Sequence, residues 1–211
     1  MLFYVIIRDS WNVDPAYSIY CAFFFIFKPN NALLEAAWPY SSRLGKKGDL
    51  KIGIQIRTGD ENLLFNDSKY NATNQSIPDF IKPFFDCAEM LEKKYNPDNS
   101  RRVIWYLVSD SFAFRLNAKE VYKDKLLTNI QDRPGHSGRH TEESILKLTL
   151  VDILTLALCD YFVLTYNSGF GKFSAWISEH RLENAYVCSL QKGQVCNSYS
   201  DVQMARANQG L

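Results

Sequence analysis

The chain has 211 residues, of which 46% are hydrophobic and 22% charged, and its formal net charge is +1. That balance is ordinary for a globular protein with one sizeable core, and it excludes a global attraction to nucleic acid or to an anionic membrane. No apolar run reaches the ~18–20 residues that span a bilayer; the greasiest window is residues 19–27, and residues 1–7 lack the basic flank and cleavage site of a signal peptide.

Taken in order, residues 1–8 read as an edge strand, or as a chain beginning inside something larger. Asp14-Pro15 starts a helix, with Asp14 capping and Pro15 in the first turn, that runs to about Phe27 before Pro29. A second short helix is predicted over residues 31–38. Residues 1–50 thus form a lead-in of strand and helices packing on a sheet, and residues 51–211 a single domain that contains it. Residues 51–56 (Lys-Ile-Gly-Ile-Gln-Ile) are a short Ile-rich run suited to a strand buried on both faces. After Glu61 comes a long polar loop ending at Pro78. Helical spacing follows over residues 79–95, a turn at 96–100, and a second buried strand at 103–108. Residues 112–122 are a modest helix and 125–130 a third strand. Thr141 is a good N-cap, with Glu142 and Glu143 in the first turn of a helix reaching Leu158. Residues 161–165 are a fourth strand, a helix runs from the Asn167-Ser168-Gly169 turn to about Glu179, and residues 185–187 are a last strand. Strand and helix alternate throughout, which predicts an α/β fold with a Rossmann-like, doubly wound parallel sheet.

The stretch that organises the rest is Lys51 to Glu61, where a buried strand ends in Arg57, a Thr-Gly pair, and the carboxylates Asp60 and Glu61. In open α/β sheets the carboxyl ends of the strands are where ligands bind, and the Arg fork matches phosphate oxygens. A plain ion pair between Arg57 and Asp60 or Glu61 is the structural alternative. Ser109-Asp110 and Asn167-Ser168-Gly169 fall at two further strand ends on the same rim. A small-residue turn opening a helix aims backbone N–H groups outward, as an anion site does, although such turns also serve simply as caps. Together these elements suggest a nucleotide-diphosphate site. Asp152 is an acid inside an apolar helix and needs a partner, either the paired N–H donors of a guanine edge or a structural Arg or Ser.

Other chemistries are poorly supported. There is no Walker A sequence, no dinucleotide fingerprint, and no Gly-x-Ser-x-Gly elbow. His136 and His140 have i, i+4 spacing but sit in a loop with no nearby Cys, which is weak for zinc. No Asp-x-Asp pair is present to hold a divalent ion against a diphosphate, so sugar-nucleotide chemistry here is expected to need no metal. Three glycosylation sequons, at Asn66, Asn71 and Asn74, share one polar loop and hint at a lumenal compartment. Cys21, Cys87 and Cys159 lie in apolar segments as small core residues. Cys188 and Cys196 flank a polar loop and, given the sequons, are expected to form a disulfide.

Ile52-Gly53-Ile54-Gln55-Ile56-Arg57 resembles the first motif of the fucosyltransferase superfamily that includes plant xyloglucan α-1,2-fucosyltransferases and animal α-1,6-fucosyltransferase. Val108-Ser109-Asp110 is similar to the second motif, and Asp152 through Phe170 to the third. The resemblance covers roughly residues 20–190. It implies the C-terminal, donor-binding half of a GT-B-like enzyme that transfers fucose from GDP-fucose to a glycan or glycoprotein acceptor, with inversion and without metal or other cofactor. Under it Arg57 binds the β-phosphate and stabilises departing GDP, Asp152 reads guanine, and Ser168, Gly169 and Phe170 hold phosphate. Gln55 lies near the guanosine, Ser109 and Asp110 join the donor site, and Asp60 and Glu61 are the candidate general bases. Thr58 stands where the family carries a second Arg, which weakens the local phosphate field. The implied setting is the secretory lumen, with the Golgi as the expected compartment, any membrane attachment through an anchor upstream of this chain and no nucleic-acid partner. A nucleotide-sugar-binding module without transfer activity is the alternative.

Overall fold

Side chains alternate from face to face along each strand, and both faces of this sheet are covered. A computed structural model describes residues 15–58, 77–131, 134, 143–178, 180–189 and 196–201. The expected strand at 1–8, the sequon loop, Asp60, Glu61, His136, His140 and Thr141 lie outside those residues. The described elements are α1 (Pro15–Ile26), α2 (Asn31–Leu44), β1 (Leu50–Ile56), α3 (Lys82–Tyr95), β2 (Val103–Ser109), α4 (Phe112–Tyr122), β3 (Leu126–Thr128), α5 (Glu143–Leu156), β4 (Tyr161–Thr165), α6 (Gly169–Trp176), β5 (Ala185–Cys188) and β6 (Asn197–Ser198).

These strands form one sheet in the order β3-β2-β1-β4-β5-β6. Pairing is parallel from β3 through β5, and only β6 runs antiparallel, on β5. Leu50, Ile52, Ile54 and Ile56 of β1 enter one core with Trp105 and Leu107, covered by Phe84, Phe85, Ala88 and Leu91 of α3 and by Phe114 and Ala118 of α4. The opposite face carries Ile104, Tyr106 and Val108, covered by Leu33, Ala37 and Leu44 of α2, Val151 and Leu156 of α5, and Ala175 of α6. Residues of β1 that point this second way are Lys51, Gly53 and Gln55. At Gly53 an added Cβ would lie 2.4 Å from Leu156 Cδ1, so even a methyl there would force the Leu156 side chain to move. The doubly wound parallel sheet expected from the alternating pattern is therefore the architecture observed.

The helix after β1 lies on one face and the helix after β4 on the other. Because β1 and β4 are neighbours, their connections diverge and leave a crevice at their carboxyl ends. That is the switch point at which open α/β sheets bind ligands.

Several element ends differ from the sequence expectation. Helix α2 continues through Pro39 to Leu44. Proline removes one backbone donor, but Tyr40 and Leu44 beyond it are 6% and 0% exposed, and their burial extends the helix. Strand β3 is only Leu126–Thr128, since Lys123–Lys125 forms a 3-10 turn instead. The short β6 was not anticipated, because two residues carry no readable periodicity.

The expected Cys188–Cys196 disulfide is not formed. Cys196 is bonded to Cys87 of α3 instead, with a Cα–Cα distance of 5.7 Å, while Cys188 is free and buried. The polar loop between Cys188 and Cys196 suggested a local pair. Docking of α3 on the same face of the sheet brings a third cysteine to the same place, from 109 residues away in sequence. Cys87 is 2% exposed, as a core cysteine should be, but it is not a free one.

Candidate active site at the switch point

Strand β1 delivers Arg57 to the rim, where its side chain is exposed. Among the described residues no carboxylate pairs with its guanidinium. The Arg57 backbone N–H donates to Thr165 Oγ1 at 2.9 Å, and that hydroxyl donates to the Gln55 carbonyl oxygen at 3.0 Å. The Ser168 backbone N–H donates to the carbonyl oxygen of the same threonine at 2.9 Å. Thr165, the last residue of β4, thus ties the arginine of one strand to the turn that opens α6.

Ser168 caps α6, its Oγ accepting from the Gly171 N–H at 3.4 Å. At 1% exposed the hydroxyl is turned into the cap. Gly169 is exposed and Phe170 half-buried. First-turn N–H groups have no intrahelical acceptor, so those of Gly169 and Phe170 form the positive end of this helix. A Cβ added at Gly169 would meet nothing within 4 Å. Among the described residues nothing crowds that position. By contrast, a Cβ at Gly171 would lie 2.6 Å from Gln55 Oε1 and 3.1 Å from Leu164 Cδ2, so the turn rests directly on β1 and β4.

Gln55, Ser109 and Asp152 are buried beneath the rim rather than exposed on it. Gln55 is 4% exposed and its Oε1 accepts from the Thr165 N–H at 3.3 Å; it latches β1 to β4 below α6 and does not face an open guanosine site. Ser109 is 2% exposed, with Oγ accepting from the Ser111 N–H at 3.2 Å. Asp110 reaches the surface, but its Oδ1 accepts from both the N–H and the Oγ1 of Thr58, at 2.9 and 2.8 Å. It thereby fixes the backbone immediately after Arg57. Thr58, read in the sequence only as a missing arginine, is 5% exposed and anchors the arginine loop.

Asp152 is corrected most clearly. It is 2% exposed, with Oδ2 taking Arg115 Nη2 at 2.7 Å and Oδ1 taking the Tyr106 hydroxyl at 3.0 Å. Both oxygens are occupied from within the protein, which leaves no open pair of acceptors for a guanine edge. The structural-partner alternative is the one observed. Burial raises the Asp152 carboxyl above the usual range, against the lowering effect of Arg115 and of the Tyr106 hydroxyl. Burial likewise pushes the Tyr106 phenol well up, with the Asp152 charge adding to it.

Arg115 went unrecognised in the sequence. It is 1% exposed and donates three ways: Nε to the Ser109 carbonyl at 2.7 Å, Nη1 to the Asn129 carbonyl at 3.0 Å, and Nη2 to Asp152. It therefore braces the carboxyl ends of β2 and β3 against α5. The Asn129 side chain continues the network by accepting from the Tyr40 hydroxyl at 3.0 Å. The only sequence signal was an Arg among Phe112, Phe114 and Leu116 in the first turns of a helix.

An exposed arginine and a helix N-terminus thus meet at the topological switch point of a Rossmann-like sheet, an arrangement with the chemistry to hold an anion. Comparison with solved structures agrees on the fold. No protein-family model and no curated protein matches the chain. Among solved structures it is similar to Arabidopsis thaliana FUT1, a xyloglucan fucosyltransferase determined as an arginine-to-lysine mutant in complex with GDP, with a TM-score of 0.53, 15% identity and 89% of this chain covered. The chain spans 39% of the length of that structure. It has the fold of one half of a GT-B-like fucosyltransferase.

Proposed function

We propose that this chain binds the donor of a fucosyltransferase, taking the diphosphate of GDP-fucose at the β1–β4 switch point and passing fucose to a glycan or glycoprotein acceptor. The observation that carries the reading is the Thr165 junction, which ties an exposed Arg57 to the exposed N-terminal turn of α6. This junction brings together two kinds of donor that suit a diphosphate. Arg57 provides a charged, planar fork, and the N–H groups of Gly169 and Phe170 provide the helix terminus.

In the proposed reaction the C1–O bond of fucose breaks with its electron pair going to the β-phosphate, and an acceptor hydroxyl attacks from the opposite face, inverting the anomeric carbon. Arg57 stabilises the charge that develops on GDP as it leaves. No metal is needed for that role, since the positive field is built from the arginine and the helix. Asp60 and Glu61, which follow Arg57 in sequence, remain the candidate bases for the acceptor hydroxyl. The disulfide and the three sequons support a lumenal setting, with the Golgi as the natural compartment for such chemistry.

Incubation with GDP-fucose and a mixed glycan pool tests the proposal. Fucosylated product, detected by mass, supports transfer. GDP binding without product favours a binding module, and failure to bind GDP at all removes the proposal. The binding module is kept as a second reading because the chain spans only 39% of the length of the fucosyltransferase it matches.

A further inference from the structure

The fold places three cysteine sulfurs together, and only two are bonded. Cys87, Cys188 and Cys196 have Sγ atoms all within 4.8 Å of one another. Cys87 belongs to α3 and Cys188 ends β5. The β5–β6 register pairs Tyr186 with Ser198 and Val187 with Asn197, so the next step in the ladder sets Cys188 opposite Cys196. Cross-strand neighbours have Cα atoms about 4.5–5.5 Å apart, inside the range a disulfide spans. Cys196 therefore has two partners within reach, one across the core interface and one across the ladder.

We propose that Cys188 is a resolving thiol for the Cys87–Cys196 disulfide, so that Cys196 exchanges its bond between α3 and β5. In the exchange the Cys188 sulfur, as thiolate, attacks Cys196 Sγ and forms the Cys188–Cys196 bond. The Cys87–Cys196 bond breaks and Cys87 leaves with the electron pair, taking up the proton that Cys188 released. One disulfide and one thiol are present before and after, so neither oxidant nor reductant is consumed. Burial pushes the Cys188 thiol up to about 12, which keeps the step slow and the bond from scrambling freely. The consequence reaches beyond the cysteines. Cys196 leads into β6 and Tyr199, whose ring lies 5.6 Å from Lys172 Nζ on α6. Exchange moves the tether of that segment from α3 to β5, beside the helix that opens at the rim.

The test uses the whole chain carrying Cys21→Ser, which removes the exposed free cysteine. The folded protein is held for a day at mildly alkaline pH without added thiol, quenched in acid, alkylated and mapped by mass spectrometry. Both the Cys87–Cys196 and the Cys188–Cys196 peptides are expected, with Cys87 alkylated in proportion to the second. Adding Cys188→Ser should leave only the first linkage and a fully bonded Cys87. Adding Cys87→Ser should give the second while near-ultraviolet circular dichroism stays native. The inference is overturned if Cys188–Cys196 is absent from the folded protein, or if it forms only in denaturing urea.

Discussion

Arg115 Nη2 lies 2.7 Å from Asp152 Oδ2, and the two side chains are 2% and 3% exposed. They come from helices on opposite faces of the sheet, so the pair crosses the rim beyond β2 and β3 and holds it closed. Removing one partner of a buried ion pair strands the other charge, which costs about 3–5 kcal/mol, whereas replacing both by apolar residues is often near neutral. Asp152→Ala should therefore lose about 3–5 kcal/mol in urea unfolding, and the double change Arg115→Met, Asp152→Leu should recover more than half of it. Equal losses in the single and double variants would mean that Arg115 acts through its two carbonyl contacts and not through the pair.

Asp110 offers a separate test of the arginine loop. Its Oδ1 holds Thr58 by two hydrogen bonds, each contributing about 0.5–1.5 kcal/mol. Asp110→Ala should release the loop, lowering GDP affinity by roughly ten-fold at a stability cost of about 1–2 kcal/mol. Asp110→Asn keeps one carbonyl acceptor and should fall between the two. If Asp110→Ala binds GDP as tightly as the parent, the loop needs no such anchor.

At Gly169 stability and binding should move in opposite directions. An added Cβ meets nothing within 4 Å, and no positive φ is required there. Gly169→Ala should stabilise the fold by about 0.4–1 kcal/mol by restricting the unfolded chain. The same methyl enters the space before the helix terminus and should weaken GDP binding measurably. Tighter folding with unchanged GDP affinity would place the phosphates elsewhere.

Gly171 behaves differently, because a Cβ there would lie 2.6 Å from Gln55 Oε1. Gly171→Ala should destabilise by about 1–3 kcal/mol through overpacking. Shortening the facing side chain with Gln55→Ala should relieve part of that loss. A simple sum of the two single costs in the double variant would rule out the contact as the cause.

How far the sequence could be read follows from the range of the interactions. The alternating β and α pattern and the position of Arg57 are local properties, and the parallel sheet and its exposed rim arginine follow from them. Asp152 was recognisable as needing a partner, but the choice between Arg115 and a ligand depends on how α4 and α5 straddle the sheet, which spacing does not encode. Gln55 was expected near the guanosine from its place in the family motif; what buries it is α6, whose Gly171 rests on its side chain while Oε1 accepts from Thr165. The Cys87–Cys196 bond spans 109 residues and depends on where α3 docks. Asp60 and Glu61 fall outside the described residues, so their part in the chemistry rests on their place beside Arg57 in the sequence.

The most direct measurement is GDP titration calorimetry on the parent chain and on Arg57→Lys, alongside melting temperatures and a guanosine control. Lysine keeps the charge but loses the planar fork. If Arg57 grips the diphosphate, GDP affinity falls roughly ten- to a hundred-fold, the equivalent of about 1.5–3 kcal/mol for a charged hydrogen bond. The melting temperature should stay within a few degrees, because the side chain is exposed, and guanosine without phosphates should bind both proteins alike. An Arg57→Lys protein that melts far lower yet binds GDP as the parent does would contradict the account and make Arg57 a structural residue.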